Sequence, residues 1–270
     1  GIIVSSGNDA AVSVAISIAG SQESFVNMMN REAHTLGMNN THFATVMGLP
    51  APNEYTNAYD LSLLAKAVML KYPQYFHWFK QKYITFEGIK QPNYNKLLFI
   101  YPEATGMKTG STSYAGYSLV GTAQEKNNSM PLVGIVMGAD TRMASANGDA
   151  TLLKYGYHYF KSKKFFVDNK VLKKARVYLG KDNQVDIGVY DSIWVTYPKD
   201  LKGDLKARLQ VAQTLTAPIK KGDKIGDVVF YVQEKGHTDS AGFTSNSQEI
   251  EVKKSAVYAL NSVAEGGFFK

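Results

Sequence analysis

The chain has 270 residues, no cysteine and a formal net charge of +7. That length predicts one large or two ordinary domains with a sizeable core, and the lack of cysteine excludes a disulfide framework or a thiolate metal site. No apolar run approaches the ~20 residues of a membrane span, and the basic residues lack the aromatic interleaving of a base-stacking surface, so nucleic acid is the poorest fit among partners.

Near the start, Ser6-Gly7-Asn8 runs into the small, apolar segment Ala10 to Ala19, which predicts a buried helix entered through Asn8 or Asp9 as N-cap. From Ser21 to Leu36, apolar Phe25, Met28, Met29, Ala33 and Leu36 recur at helical spacing, and Gly37 stands at the C-cap position of an amphipathic helix. Tyr59 to Leu70 repeats the pattern, and Pro73 stops it. The aromatic stretch Tyr72 to Phe86 reads as core packing in preference to a carbohydrate platform.

A turn over Pro102 to Gly106 precedes Lys108-Thr109-Gly110-Ser111-Thr112, and Ala115 to Ala123 reads as a strand of small and β-favouring residues. Pro131 to Gly138 predicts a buried strand, and Ala146 to Phe160 returns to helical spacing through Leu152, Leu153 and Tyr157. Glu23, Asp60 and Asp149 fall on helices, with ordinary capping or surface roles expected. Helices packed on an antiparallel sheet, an α+β arrangement, follow from this mixture.

From about Phe165 the texture changes to short alternating runs closed by turn residues: Ala175 to Leu179, Ser192 to Tyr197 and Val228 to Val232. A small all-β sandwich domain is predicted there. The expected domains are 1–164 and 165–264, with 265–270 beginning a linker. The lysine-rich stretch Lys161 to Lys164 is the expected boundary, read as a solvated face and hinge.

Two short patterns carry chemistry. Ser6-x-Asn8 and Lys108-Thr109-Gly110 are each weak alone, but their order, spacing and context match two of the three fixed parts of a penicillin-interactive serine site. The third part, Ser-x-x-Lys, occurs nowhere, since no serine from Ser5 to Ser262 has lysine three residues on. The five histidines, His34, His42, His77, His158 and His237, show neither metal-ligand nor triad spacing and read as packing or surface residues. A capping role for Ser6 and Asn8 and a solvated surface role for Lys108 are the bland alternatives.

Beyond the two triplets, Ala19-Gly20-Ser21-Gln22-Glu23-Ser24-Phe25, Gly106-Met107, Leu215 to Gly222 and Glu265-Gly266-Gly267-Phe268-Phe269 also carry a resemblance. On these residues the chain resembles low-molecular-mass D-alanyl-D-alanine carboxypeptidases of the penicillin-binding protein 5 and 6 type. The resemblance implies a penicillin-binding transpeptidase-like domain followed by the β domain, with the nucleophile upstream of Gly1 and a C-terminal membrane anchor beyond Lys270. It implies Ser6, Asn8 and Lys108 as catalytic, and Thr109, Gly110, Ser111 and Arg142 as substrate-binding. Ser111 stands where family members often carry histidine, and Arg142 is out of the usual register.

No metal or organic cofactor is implied. The implied partners are peptidoglycan pentapeptide stems, β-lactam antibiotics and the inner-membrane surface, with Phe268 and Phe269 as first lipid contacts. The implied location is periplasmic, on the outer face of the inner membrane for the full protein, with the 270 residues alone in solution. A class A β-lactamase is disfavoured by Gly7 and by the trailing β domain. A DD-endopeptidase of the same superfamily, and a non-catalytic peptidoglycan-binding module, stand as alternatives.

Overall fold

The computed structural model describes residues 1–126, 130–212, 214–234 and 248–267. The chain divides into two compact units, Gly1–His158 and Tyr159–Lys270. Phe268 and Phe269 lie outside the described residues.

The first unit opens with two helices, α1 (Ile2–Ser5) and α2 (Asn8–Ala19), joined through Ser6 and Gly7. The N-cap of α2 is Gly7, with no side-chain cap, and Asn8 is the first helical residue, so neither expected cap is used. Nor is α2 buried: among the described residues only its Ala15 is enclosed, while Val14, Ile16 and Ile18 are exposed. Apolar composition marked the helix, but the first unit covers only the face that carries Ala15.

Next, α3 (Gln22–Thr35) is capped by Ser21, whose hydroxyl accepts from the Ser24 amide at 3.1 Å. It ends as the sequence predicts, with Gly37 in the left-handed region (φ 79°) and Met38 N–H reaching back to Ala33 O at 2.9 Å. The helix α4 (Ala58–Lys71) is capped by Asn57. Pro73 both follows its end and opens the short α5 (Pro73–Phe76), where a missing N–H costs nothing.

A 3₁₀ turn over His77–Lys80, a hairpin of β1 (Tyr83–Phe86) and β2 (Ile89–Pro92), and α6 (Leu97–Ile100) follow. The aromatic stretch is only partly core. Phe79 lies against Gly106, but Tyr75, Trp78 and Phe86 are 49, 49 and 65 % exposed, because a single turn and a two-stranded ribbon cannot enclose both of their faces.

Three antiparallel strands, β3 (Ala104–Thr112), β4 (Gly116–Ala123) and β5 (Leu132–Ala139), form a sheet in that order. Lys108 thus sits on an edge strand, opposite Val120, with Ser111 opposite Tyr117. β5 is half-buried and not enclosed as expected, with Met137 42 % exposed, since it is the sheet's other edge. The long helix α7 (Arg142–Tyr159) packs on β4 and β5 through Leu153, Gly148 and Gly156, the last two leaving room for Val136 and Leu132.

The second unit is all β. β6 (Phe160–Phe166), which includes the lysine-rich stretch read as a hinge, pairs with β9 (Ile193–Pro198). The remaining strands are β7 (Lys170–Tyr178), β8 (Gln184–Val189), β10 (Asp204–Val211), β11 (Leu215–Thr216), β12 (Lys224–Glu234) and β13 (Gln248–Ala259). They form one sheet ordered β10-β12-β13-β8-β7-β11. Strand alternation places Ile193, Val195 and Tyr197 of β9 inward over Val185, Ile187, Phe230 and Val257, with Trp194 and Thr196 outward. Two sheets facing over one core match the predicted sandwich.

Candidate active site

Ser6 reaches its position because α1 ends in a left-handed residue: Ser6 itself has φ 51°. A non-glycine side chain there costs roughly 1–2 kcal/mol, a strain held by packing on either side. Val4, buried, accepts a hydrogen bond at its carbonyl from Tyr94 N–H at 3.3 Å, and Ser5 Oγ donates to Gln91 Oε1 at 3.0 Å. Gly7 is confined as well, since a Cβ would stand 3.2 Å from Asp9 Oδ1.

Lys108 arrives from the sheet edge, 102 residues away, and its ammonium donates to Ser6 Oγ and, at 2.7 Å, to Thr109 O. Burial lowers the Lys108 pKa from its usual value, as expected where few groups replace lost water. A lysine poised in this way polarises the hydroxyl it touches and gives up a proton more readily than a solvated one.

Ser6, Asn8 and Lys108 line one cavity of about 310 Å³, together with Thr109, Gly110 and Ser111. At Gly110 a Cβ would meet nothing within 4 Å, so the strand is open on that side to an approaching backbone. Arg142 also lines the cavity. Its guanidinium lies 4.3 Å from the Tyr94 ring centroid and 5.8 Å from that of Tyr117.

The structure therefore brings all seven sequence-predicted residues to one place. Four further hydroxyl-bearing lining residues escaped the sequence reading: Tyr94, Tyr117, Ser118 and Ser145. Tyr117 was within reach, since antiparallel pairing sets it opposite Ser111. Tyr94, in a loop without periodicity, carried no local signal.

Two carboxylates differ from expectation. Asp60 is 1 % exposed and binds the Asn40 amide at 2.8 Å and the Thr41 hydroxyl at 2.7 Å, tying down the loop ahead of α4. Asp149, neither cap nor surface group, is fully buried, with neither oxygen in a hydrogen bond of ordinary geometry. It faces the backbone of Gly121 and Gly134, where added Cβ atoms would stand 1.8 Å from its oxygens. Burial pushes its pKa up to about 7, with the Gly121 backbone offsetting part of the rise. The signal was available: position 149 shares the α7 face of Ala146, Ala150, Leu153 and Tyr157. Among the described residues no group of three or more histidine, aspartate or glutamate side chains could hold a metal ion.

An edge-strand Lys-Thr-Gly facing a Ser-x-Asn loop, with helices on an antiparallel sheet and a β sandwich after it, defines a penicillin-interactive serine-enzyme fold. The profile of the D-alanyl-D-alanine carboxypeptidase family matches residues 1–141, and that of the penicillin-binding protein 5 C-terminal domain matches residues 160–264. The chain belongs to the D-alanyl-D-alanine carboxypeptidase family. It is 37 % identical to D-alanyl-D-alanine carboxypeptidase DacC of Escherichia coli, over all of this chain and 64 % of that protein.

Among solved structures it is similar to penicillin-binding protein 5 of Haemophilus influenzae, with a TM-score of 0.85, 35 % identity, and coverage of 98 % of this chain and 73 % of that one. It is also similar to cefotaxime-bound penicillin-binding protein D2 of Listeria monocytogenes, with a TM-score of 0.53, 28 % identity, and coverage of 58 % of this chain and 63 % of that one. The chain spans 64, 65 and 66 % of the lengths of three curated relatives.

Proposed function

We propose that the chain carries the proton-relay and substrate-binding part of a serine-type D-Ala-D-Ala carboxypeptidase, which removes the terminal D-alanine of peptidoglycan pentapeptide stems. The observation that carries this reading is the Lys108 ammonium on the Ser6 hydroxyl, inside a cavity that also holds Asn8 and the open Gly110 edge. The reaction takes its nucleophile and base from a Ser-x-x-Lys pair, a pattern the 270 residues do not contain.

In the acylation step the nucleophile's Oγ bonds to the penultimate D-alanyl carbonyl carbon. The base takes the nucleophile's proton, the C–N bond to the terminal D-alanine breaks, and Ser6 hands a proton to the departing amine while regaining one from the base. Water then attacks the ester carbonyl, and a proton from that water passes through the same relay to the nucleophile's Oγ as the ester bond breaks. Lys108 polarises Ser6 and attracts the substrate carboxylate, and Asn8 holds the substrate's peptide group with its amide. Thr109 and Ser111 offer hydroxyls to the carboxylate, the Ser111 N–H faces the developing oxyanion, and Arg142 adds a second cation. The open Gly110 edge suits a peptide laid alongside β3 as an added strand.

A β-lactam would acylate the same nucleophile, in keeping with the cefotaxime complex of the Listeria protein. A peptidoglycan-stem substrate supports action in the periplasm, and attachment to the outer face of the inner membrane is the further part of this proposal. Sedimentation of the full protein with anionic vesicles checks the membrane part, and absence of binding overturns it.

The test of the reaction uses the enzyme expressed from its full reading frame. It should gain the mass of one penicilloyl group and release D-alanine. Lys108→Ala should slow both by about 100-fold or more, the scale of losing a transition-state electrostatic contact. Near-normal turnover by that variant would leave Lys108 only a structural role.

A further inference from the structure

Arg142 opens α7, where its charge opposes the positive end of the helix dipole, so helix stability does not account for it. Among the described residues its guanidinium has no hydrogen bond or ion pair; its contacts are the rings of Tyr94 and Tyr117. A stacked guanidinium uses its face and keeps its in-plane N–H donors available for a planar anion.

The two rings stand on rigid supports. Tyr94 lies between Asn93 and Asn95, both buried. Asn93 donates from its side chain to Gln81 O at 2.9 Å and accepts from the Asn95 amide at 2.9 Å, and Asn95 Oδ1 accepts from the Leu97 amide at 3.0 Å. The Tyr94 amide is tied to Val4 O, two residues before Ser6. Tyr117 is fixed by β4, paired on one side with Ser111 and on the other with Ala139.

We propose that Tyr94, together with Tyr117, is a positioning residue for Arg142. The rings hold the guanidinium on the cavity wall with its donors free for a substrate carboxylate, and so make the site select peptides that end in a free carboxylate over those that end in an amide. This rests on the carboxypeptidase reading. It adds an aromatic clamp in the Tyr94 loop and β4 to the carboxylate contacts of the Lys-Thr-Gly strand.

The test measures kcat and KM of the full-frame enzyme for an acyl-D-alanyl-D-alanine and for the same peptide with a C-terminal amide. Tyr94→Leu should lower kcat/KM for the acid by between about 2- and 30-fold, the range of a partly desolvated cation–ring contact, mainly through KM. The amide should be unaffected, and Tyr94→Phe should keep the acid preference because it keeps the ring. Arg142→Gln should reduce the same preference, and adding Tyr94→Leu to it should reduce it no further.

An unchanged acid-to-amide ratio in Tyr94→Leu, or an equal fall for both peptides, overturns the clamp. If Tyr94→Leu does not fold, Tyr94→Met, which fills the space without a π face, is judged by the same ratio. A wild-type enzyme that releases no D-alanine sinks the carboxypeptidase reading and the clamp with it, whereas an active enzyme with an unchanged ratio sinks the clamp alone.

Discussion

The β unit fills its interior with aliphatic and aromatic side chains around Phe230, which is fully enclosed and stacked edge-on by Phe165 with ring centroids 5.0 Å apart. The helical unit contains a left-handed serine, a partly desolvated lysine, an arginine on two tyrosines without an ion pair, and a buried carboxylate without a well-formed hydrogen bond. None of these four features stabilises a fold, and the first three line one cavity. Strain and unmet polarity gather at that cavity, while the β unit packs as local patterning dictates.

The largest effect expected from probing this contrast lies in the β unit. Phe230→Ala removes a ring from a filled core and should cost about 3–5 kcal/mol, lowering the thermal transition of that unit. Penicillin labelling of the full-frame enzyme at 25 °C should be unchanged. A shift of less than ~1 kcal/mol would mean that the core collapses around the gap and is less tightly packed than its burial indicates.

In the helical unit, Asp149 should make stability pH-dependent. Its pKa is raised from 3.8 when unfolded to about 7 when folded, so the folded state favours the neutral acid. The penalty is absent below about pH 4, grows as pH rises through the window up to about 7, and then levels off, reaching at most ~4 kcal/mol. Thermal melts at several pH values across that window should show stability falling, with the slope lost in Asp149→Asn. A slope of equal size in the variant would assign the dependence to another group.

The smallest change concerns the left-handed serine. Ser6→Gly should relieve backbone strain and stabilise the fold by about 1 kcal/mol, while D-alanine release by the full-frame enzyme falls sharply because the relay hydroxyl is gone. A destabilised Ser6→Gly would show that the contact with Lys108 outweighs the strain, and would weaken the contrast between the two units.

The local elements and the chemistry of the two motifs were legible from the order of residues alone. Ser21 and Gly37 bound α3 as capping rules require, β9 alternates as written, and the Lys-Thr-Gly triplet falls on an edge strand. Which faces are covered depends on how the elements pack. Apolar residues in α2 and β5 read as buried, yet Ile16, Ile18 and Met137 are exposed, because enclosure depends on a second layer that periodicity does not encode. For the same reason Asp149 read as an ordinary helical carboxylate until α7 was laid on two glycines of the sheet. Tyr94, Tyr117 and Arg142 meet from three separate segments, and a contact across such distances in the chain leaves no mark in any local window, since packing creates it after each segment has its own shape.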